Sequence, residues 1–499
     1  MGYISDVLRL IREHRLFFLG TLATGLGLRL LFFFWFPMMT DDSRVYVDLA
    51  TNWLQHGVYG QTQAVSSLNS QSTPETNATP ETKPETRIVP IDSRLPGYPA
   101  FLAAILWLFG IGNIKAVLLT QIVVDLATCV IIADLARRMV SDRAARVAFL
   151  LAALCPFLAN YTAAVLTETL EVFFTALALD CATGALDHMR GVGQIDPVGT
   201  MLWAGTGAAI CGCILLRPDG GVLLASVLLY LLFLAMAAAK GTLAFGRGSL
   251  FIAATVVAVI VLAVMAPWTM RNLRTLHHFQ PLVPRYANES DELVPRGFNR
   301  WVKTWMIDYA SVEEIYWNVP GDKIDATKLP SRAFYDAAQK EATLAVIEDY
   351  NDPQDLTPEL DARFGEIAAA RIRAHLVRYY VVLPVLRMTD MWLRPRTEIL
   401  PPDVRWWEFN DDWKRSAVAV GFGLLNLAFL GAALWALFWR RAAVQWMGLL
   451  VFFLLLRSAL LLTLENPEPR YTLEGYPAVI VLAAALTKNG AADPSVCSQ

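Results

Sequence analysis

Acidic and arginine side chains punctuate an otherwise apolar chain at positions that invite chemistry. Asp41 and Asp42 directly follow the apolar run 16–36. Glu168 lies in Leu166-Thr-Glu-Thr-Leu170, and Arg217 opens the turn Arg217-Pro-Asp-Gly220. Arg271 closes an apolar run after Pro267-Trp268, Arg457 lies within the run 444–464, and Arg470-Tyr471 precedes the run 472–487. A guanidinium group holds a phosphate through paired hydrogen bonds. A carboxylate beside it takes a proton from an attacking hydroxyl or amine. Each residue alone also has a plainer reading. Asp41 and Asp42 fit a solvated loop start or a helix N-cap before 43–56. Glu168 fits an interfacial carboxylate, and Arg217, Arg271 and Arg470 fit arginines that snorkel to an interface. Arg29 and Asp125 lie at similar depth in the first two apolar runs and read first as a structural ion pair. The convergence of carboxylates and arginines on one face is what points to chemistry.

The elements that must position these residues are membrane spans. The chain has 499 residues, of which 55% are hydrophobic, 17% charged and 11% aromatic. Soluble domains carry roughly 25% charge, so a water-soluble globule, a disordered chain and a collagen-like chain are all excluded. A net charge of −3 gives no basic field for nucleic acid. Five of the six cysteines lie in apolar runs, and Cys211-Gly-Cys213 has the wrong spacing for a zinc pair. Runs of about 20 apolar residues suffice to cross ~30 Å of hydrocarbon. They occur near 16–36, 113–137, 145–160, 163–186, 200–216, 219–239, 250–268, 416–438, 444–464 and 472–487. The expected fold is an all-α polytopic membrane protein of about ten spans.

Orientation follows from the short loops. One set holds Arg9, Arg12, Arg15, Arg137, Arg138, Arg143, Arg146, Arg190, Lys240, Arg247, Arg440, Arg441 and Lys488, and the other holds only Arg217 and Arg470. Both termini are therefore expected in the cytoplasm, with 37–112 and 269–415 outside. The N-terminal module, 1–268, would carry the chemistry. The segment 416–499 would add the last spans and a short cytoplasmic tail. Within 37–112, about 61–87 reads as a disordered insert rich in Thr-Pro-Glu-Thr, and Gly97–Gly110 as an interfacial helix. The 269–415 segment shows helical patterning around 332–348 and 359–380 and no strand-rich domain.

These residues resemble a known family. Asp42-Ser-Arg-Val-Tyr46, Ala50 and Gly57-Val-Tyr-Gly60 are similar to the first outer loop of GT-C fold membrane glycosyltransferases. The likeness is to bacterial relatives of the protein O-mannosyltransferases and of the enzyme that adds aminoarabinose to lipid A. Arg94-Leu-Pro-Gly-Tyr-Pro99 resembles the juxtamembrane helix of that loop. Leu166-Thr-Glu168, Leu216-Arg-Pro218, Pro267-Trp-Thr-Met-Arg-Asn272 and Arg470-Tyr471 with Pro477 extend the match over most of the chain. The usual Asp-Glu pair of the mannosyltransferases is absent, because Ser43 follows Asp42.

The resemblance implies an inverting glycosyltransferase in the inner (plasma) membrane, with its site on the extracytoplasmic face. The donor would be a polyprenyl-phosphate sugar, and the acceptor a glycan, a lipid or a protein. It also implies roles. Asp42, or Asp41 before it, would act as base, with Glu168 orienting the acceptor or sharing a metal site. Arg217, Arg271, Arg457, Arg470 and Tyr471 would hold the donor phosphate, supported by Tyr46, Arg94, Arg29 and Asp125. No cofactor follows from the residues beyond an optional divalent metal ion. Readings from other classes are a transporter or lipid flippase, for which no inverted repeat is visible, and a non-catalytic envelope scaffold.

Overall fold

The computed structural model describes residues 2–64, 86–241, 243–284, 286, 293–410 and 412–487. Seven helices among them are long and apolar enough to cross a membrane. They are Arg15–Trp35, Ile114–Met139, Glu168–Val192, Pro197–Leu216, Pro218–Ala238, Arg247–Thr275 and Trp413–Trp439. The other three of the ten expected spans are shorter or broken. The run 145–160 splits into Asp142–Ala153 and Pro156–Tyr161. Proline lacks the N–H that would continue the ladder, so carbonyls at the end of the first piece lose their partners. Arg29 fills that gap. Its Nη1 donates to the Ala153 carbonyl, and its Nη2 lies 3.3 Å from the Ala152 carbonyl. The same Nη2 lies 2.6 Å from Asp125 Oδ2, with both side chains enclosed. Arg29 and Asp125 therefore form the expected ion pair, and the pair also caps a broken helix.

The run 444–464 contains Met447–Leu461, a helix of 15 residues. The last run begins as a 3-10 turn, Pro469–Gly475, and becomes the nine-residue helix Tyr476–Ala484. Every residue of that helix is buried. It is apolar all round because it stands inside the bundle, packed against Ile114–Met139, Asp142–Ala153 and Trp413–Trp439.

Two segments build over one end of the bundle. In the first, the helix Asp41–His56 ends at Gly57, whose φ of 68° is left-handed and favours glycine. Strands β1 (Gly60–Ala64) and β2 (Thr86–Pro90) then pair antiparallel, Gly60 opposite Pro90 and Ala64 opposite Thr86. The ends of the expected disordered insert, 61–64 and 86–87, are thus strand. Residues 65–85, the rest of that insert, lie outside the described residues, as does Lys488. The apolar helix Gly97–Phe109 follows. Its first residue sits on the end of Pro197–Leu216, where a Cβ would come within 2.6 Å of the Leu215 carbonyl.

The second segment contains the helices Arg296–Lys303, Ala337–Asn351, Pro358–Ala374 and Leu383–Leu393. Two of these fall where the helical patterning lies. The segment has its own core of Phe298, Trp301, Trp305, Tyr350 and Phe364. It docks through Arg396, which is fully buried. Arg396 Nε donates to the Tyr476 hydroxyl at 3.0 Å, and Nη1 to the Pro469 carbonyl at 2.5 Å.

Candidate active site

The site grows from the start of the Asp41–His56 helix. Thr40 is its N-cap. The Ser43 N–H donates to Thr40 Oγ1 at 3.2 Å, and the Thr40 N–H donates to Ser43 Oγ at 3.0 Å. This reciprocal cap frees Asp41 and Asp42 from capping and leaves both in the first turn, where the helix dipole favours negative charge. Their surroundings then differ. Asp41 is 96% exposed at its side chain and pairs with Arg44 at 3.1 Å. Asp42 accepts from Arg94 Nη2 at 3.0 Å, and its other oxygen lies 3.6 Å from Arg470 Nη2. Burial pushes the Asp42 carboxyl up, but the Arg470 and Arg94 guanidinium groups outweigh it and hold the group below 3.8.

Glu168 begins the Glu168–Val192 helix and is 1% exposed. Its Oε1 lies 3.5 Å from Arg217 Nη1 and 3.6 Å from Arg470 Nη1, and its Oε2 is buried without a hydrogen-bond partner. Arg470 therefore bridges Asp42 and Glu168. Glu468 orients it, accepting from Arg470 Nε at 2.5 Å and from the Tyr471 hydroxyl at 2.7 Å. Burial pushes the Arg470 charge toward loss, yet Glu468, Glu168 and Asp42 keep it cationic, with its pKa raised well above the usual value. The Arg217 guanidinium stands 4.8 Å over the Tyr471 ring. Burial raises the Tyr46 hydroxyl to about 12, so it stays protonated as a donor.

Two cavities meet at this cluster. One, of about 280 Å³, is lined by Tyr46, Arg94, Glu168, Arg217, Arg470 and Tyr471. The other, of about 420 Å³, is lined by acidic and aromatic side chains, among them Asp41, Tyr161, Tyr309, Glu313, Trp317 and Glu398. Asp42, Leu166 and Arg470 line both. A phosphate fits the chemistry of the first, where three guanidinium groups converge. Asp42 faces the second with an ionised oxygen.

Two predicted phosphate ligands do not line either cavity. Arg271 donates to the Ile91 carbonyl at 2.6 Å and the Tyr59 carbonyl at 2.5 Å, on either side of the β1–β2 pair, and so clasps the outer loop. Arg457 donates to the Tyr471 carbonyl at 2.8 Å and lies 2.6 Å from Glu474 and 2.8 Å from Asp219. Both guanidinium groups are spent on protein acceptors. Arg29 and Asp125 lie along the bundle, away from these cavities. The sequence reading missed Glu468, Tyr161, Tyr309, Glu313 and Glu398. Glu468 stands two residues before Arg470, which was a usable signal. The others come together only through the docking of the second outer segment. Among the described residues, no three of His, Cys, Asp and Glu converge in an arrangement able to hold a metal ion.

The family model for dolichyl-phosphate-mannose-protein mannosyltransferase matches residues 90–270. That stretch carries Arg94, Glu168 and Arg217. Among solved structures, the oligosaccharyltransferase of Archaeoglobus fulgidus tethered with an acceptor peptide is 14% identical, with a TM-score of 0.48. The alignment covers 94% of this chain and 49% of that one, so the chain spans about half its length. ArnT from Cupriavidus metallidurans bound to undecaprenyl phosphate is 14% identical over 94% of this chain and 76% of that one, with a TM-score of 0.36. No curated protein matches the sequence. The family match agrees with the resemblance drawn from the residues over 90–270, and the seven long apolar helices bear out the helical membrane fold class.

Proposed function

We propose that this chain is an inverting membrane glycosyltransferase. It moves a sugar from a polyprenyl-phosphate donor to an acceptor on the extracytoplasmic face of the plasma membrane. The observation that carries this is the shared wall. Asp42 and Arg470 stand between a cavity lined with arginines and one lined with carboxylates and aromatic rings. Donor phosphate in the first and acceptor in the second put the anomeric carbon at the wall, with nucleophile and leaving group on opposite sides. The family matched over 90–270 is named for a dolichyl-phosphate-linked sugar, which supports this donor class.

Asp42 takes the proton from the acceptor hydroxyl or amine. That acceptor atom bonds to the anomeric carbon while the bond from that carbon to the phosphate oxygen breaks, and the electron pair leaves with polyprenyl phosphate. Arg217, Arg470 and Arg94 stabilise the charge that develops on the phosphate. Glu168, with one oxygen unpartnered, accepts from a donor or acceptor hydroxyl at the junction. Arg271 and Arg457 act one step back, by holding the loop and the turn.

Transfer from a panel of radiolabelled polyprenyl-phosphate sugars tests this, comparing purified wild type with Asp42→Asn and following polyprenyl phosphate and labelled product in a membrane extract. Release by wild type and its loss in the variant is expected. No release with any donor, from folded protein, would remove the proposal.

A further inference from the structure

The cavity beside Asp42 does not end there. It shares Tyr309, Glu313 and Glu398 with a second cavity of about 500 Å³, which reaches outward to Asp403 and Lys328. The two form one trough leading away from the wall. Its charge is unbalanced. Glu314 has Arg405 at 2.7 Å and Lys328 at 3.7 Å. By contrast Glu313, Glu398 and Asp403, which all line the outer cavity, form no direct ion pair among the described residues; the Arg394 and Arg396 charges act on Glu313 and Glu398 only from farther off. Arg394, also in the lining, is shared among several groups, with Asp390 at 3.7 Å and the Tyr309 ring at 5.5 Å.

A second observation comes from Glu398 itself. One oxygen accepts from the Tyr161 hydroxyl at 2.9 Å, and the other is buried and has no hydrogen-bond partner. Leaving a buried carboxylate oxygen unsatisfied is costly, and burial raises the carboxyls of both Glu398 and Glu313. A ligand that donates from a positive charge removes that cost. The walls add a constraint. Tyr309 and Trp317, with rings 5.7 Å apart and edge to face, give apolar surfaces of the kind on which the C–H face of a sugar ring rests.

We propose that this trough is the acceptor site and that it takes an amino sugar in an extended glycan, its protonated amine placed between Glu313 and Glu398. This rests on the transfer reading only for the word acceptor, since the trough would bind such a ligand whatever reaction followed.

Binding to the purified full-length chain in detergent tests it, by calorimetry with three probes. These are a β-1,4-linked glucosamine tetramer, its fully N-acetylated counterpart and tetralysine. The glucosamine tetramer is expected to bind at least about 10-fold tighter than the acetylated one, the scale of one charge-assisted hydrogen bond. Glu398→Gln should shrink that preference to about 3-fold or less. Glu313→Gln, at a more exposed position, should shrink it too and serves if the first variant fails to fold. Equal binding of the two tetramers, binding of neither, or a preference unchanged in both variants overturns the proposal. Tighter binding of tetralysine overturns the amino sugar in favour of a basic peptide. Donor release in the same preparation separates the two claims. Release without amine preference removes the trough and leaves transfer standing. Amine preference without release does the reverse.

Discussion

Asp42 and Asp41 are neighbours of the same type, and the surroundings assign them different work. Asp42 is pinned by Arg94 and lines both cavities, whereas Asp41 lines only the rim of the second, with its side chain almost fully exposed. Asp42→Asn keeps the shape and removes the proposed base, so kcat should fall by about 10²–10⁴. Asp41→Asn should change kcat by less than about 3-fold, because an exposed pair of this kind contributes little. Steady-state transfer rates on the two variants check this. The lowered pKa of Asp42 sets a pH expectation as well. A carboxyl held below 3.8 stays ionised as pH falls from 8 to 5, so Asp42 should produce no acid limb there. Its charge pair likewise stabilises the fold above 3.8, and that contribution is lost only as pH falls through the lower value. Arg470→Lys keeps the charge and forfeits the planar fork that meets Asp42, Glu168 and Glu468 together. It should cost about 10² in kcat/KM, measured with saturating acceptor. These residues were legible in the sequence because each sits where an apolar run stops, and a charge at a membrane rim is conspicuous. Arg271 also closes an apolar run, and Arg457 lies inside one, so both stood out in the sequence as well. What distinguishes them is a set of backbone carbonyls and buried acids that only tertiary packing brings near.

At the level of elements, the outer loop is aimed by its anchors. Arg271 holds the carbonyls of Tyr59 and Ile91, and His278 Nε2 lies 2.7 Å from Asp92. Between them they fix both strands of the β1–β2 pair, and through Arg94 the position of Asp42. Arg271→Ala removes a two-pronged clasp without touching either cavity. It should expose the loop ends 57–64 and 86–95 to proteolysis in the folded protein and lower kcat, with a smaller change in donor KM. Gel analysis of limited digests and the KM-against-kcat split check both. The His278 contact adds a pH dependence. Its hydrogen bond to Asp92 raises the imidazole above 6.5. The stabilisation is therefore complete below 6.5 and fades as pH rises through the raised value. Amide protection factors in 91–95, taken against the intrinsic exchange rate at each pH, should fall from pH 6 to 8, and His278→Gln should flatten that change. The expected spans at 145–160 and 472–487 show where sequence patterning loses its hold. Hydropathy records that a stretch is apolar and is blind to whether lipid or protein surrounds it. Pro156 signals a break, but the burial of Tyr476–Ala484 on all sides depends on three other helices.

Across the whole molecule, Asp42, Glu168, Arg217 and Arg470 come from four separate stretches and meet at one end of the bundle. Each lies at a helix end or in the turn between two helices, as the run ends imply. Arg190 lies at the opposite end of the Glu168–Val192 helix, and Arg137, Arg138 and Arg143 lie where Ile114–Met139 turns into Asp142–Ala153. Basic residues favour the cytoplasmic side of short loops, so the cluster should face away from the cytoplasm. A lipid-linked sugar donor is of use to this chain only if it reaches that same face. His56 and Arg143 are exposed at the two ends and lie outside both cavities. In a background freed of native cysteines, His56→Cys should react with a membrane-impermeant maleimide in intact cells or spheroplasts. Arg143→Cys should react only after the membrane is opened. Because both substitutions are on exposed surface, each variant is expected to keep its fold. The reverse pattern would put Asp42 and the arginine-lined cavity in the cytoplasm, where a nucleotide-linked donor is the available chemistry, and the polyprenyl-phosphate mechanism would fall with it.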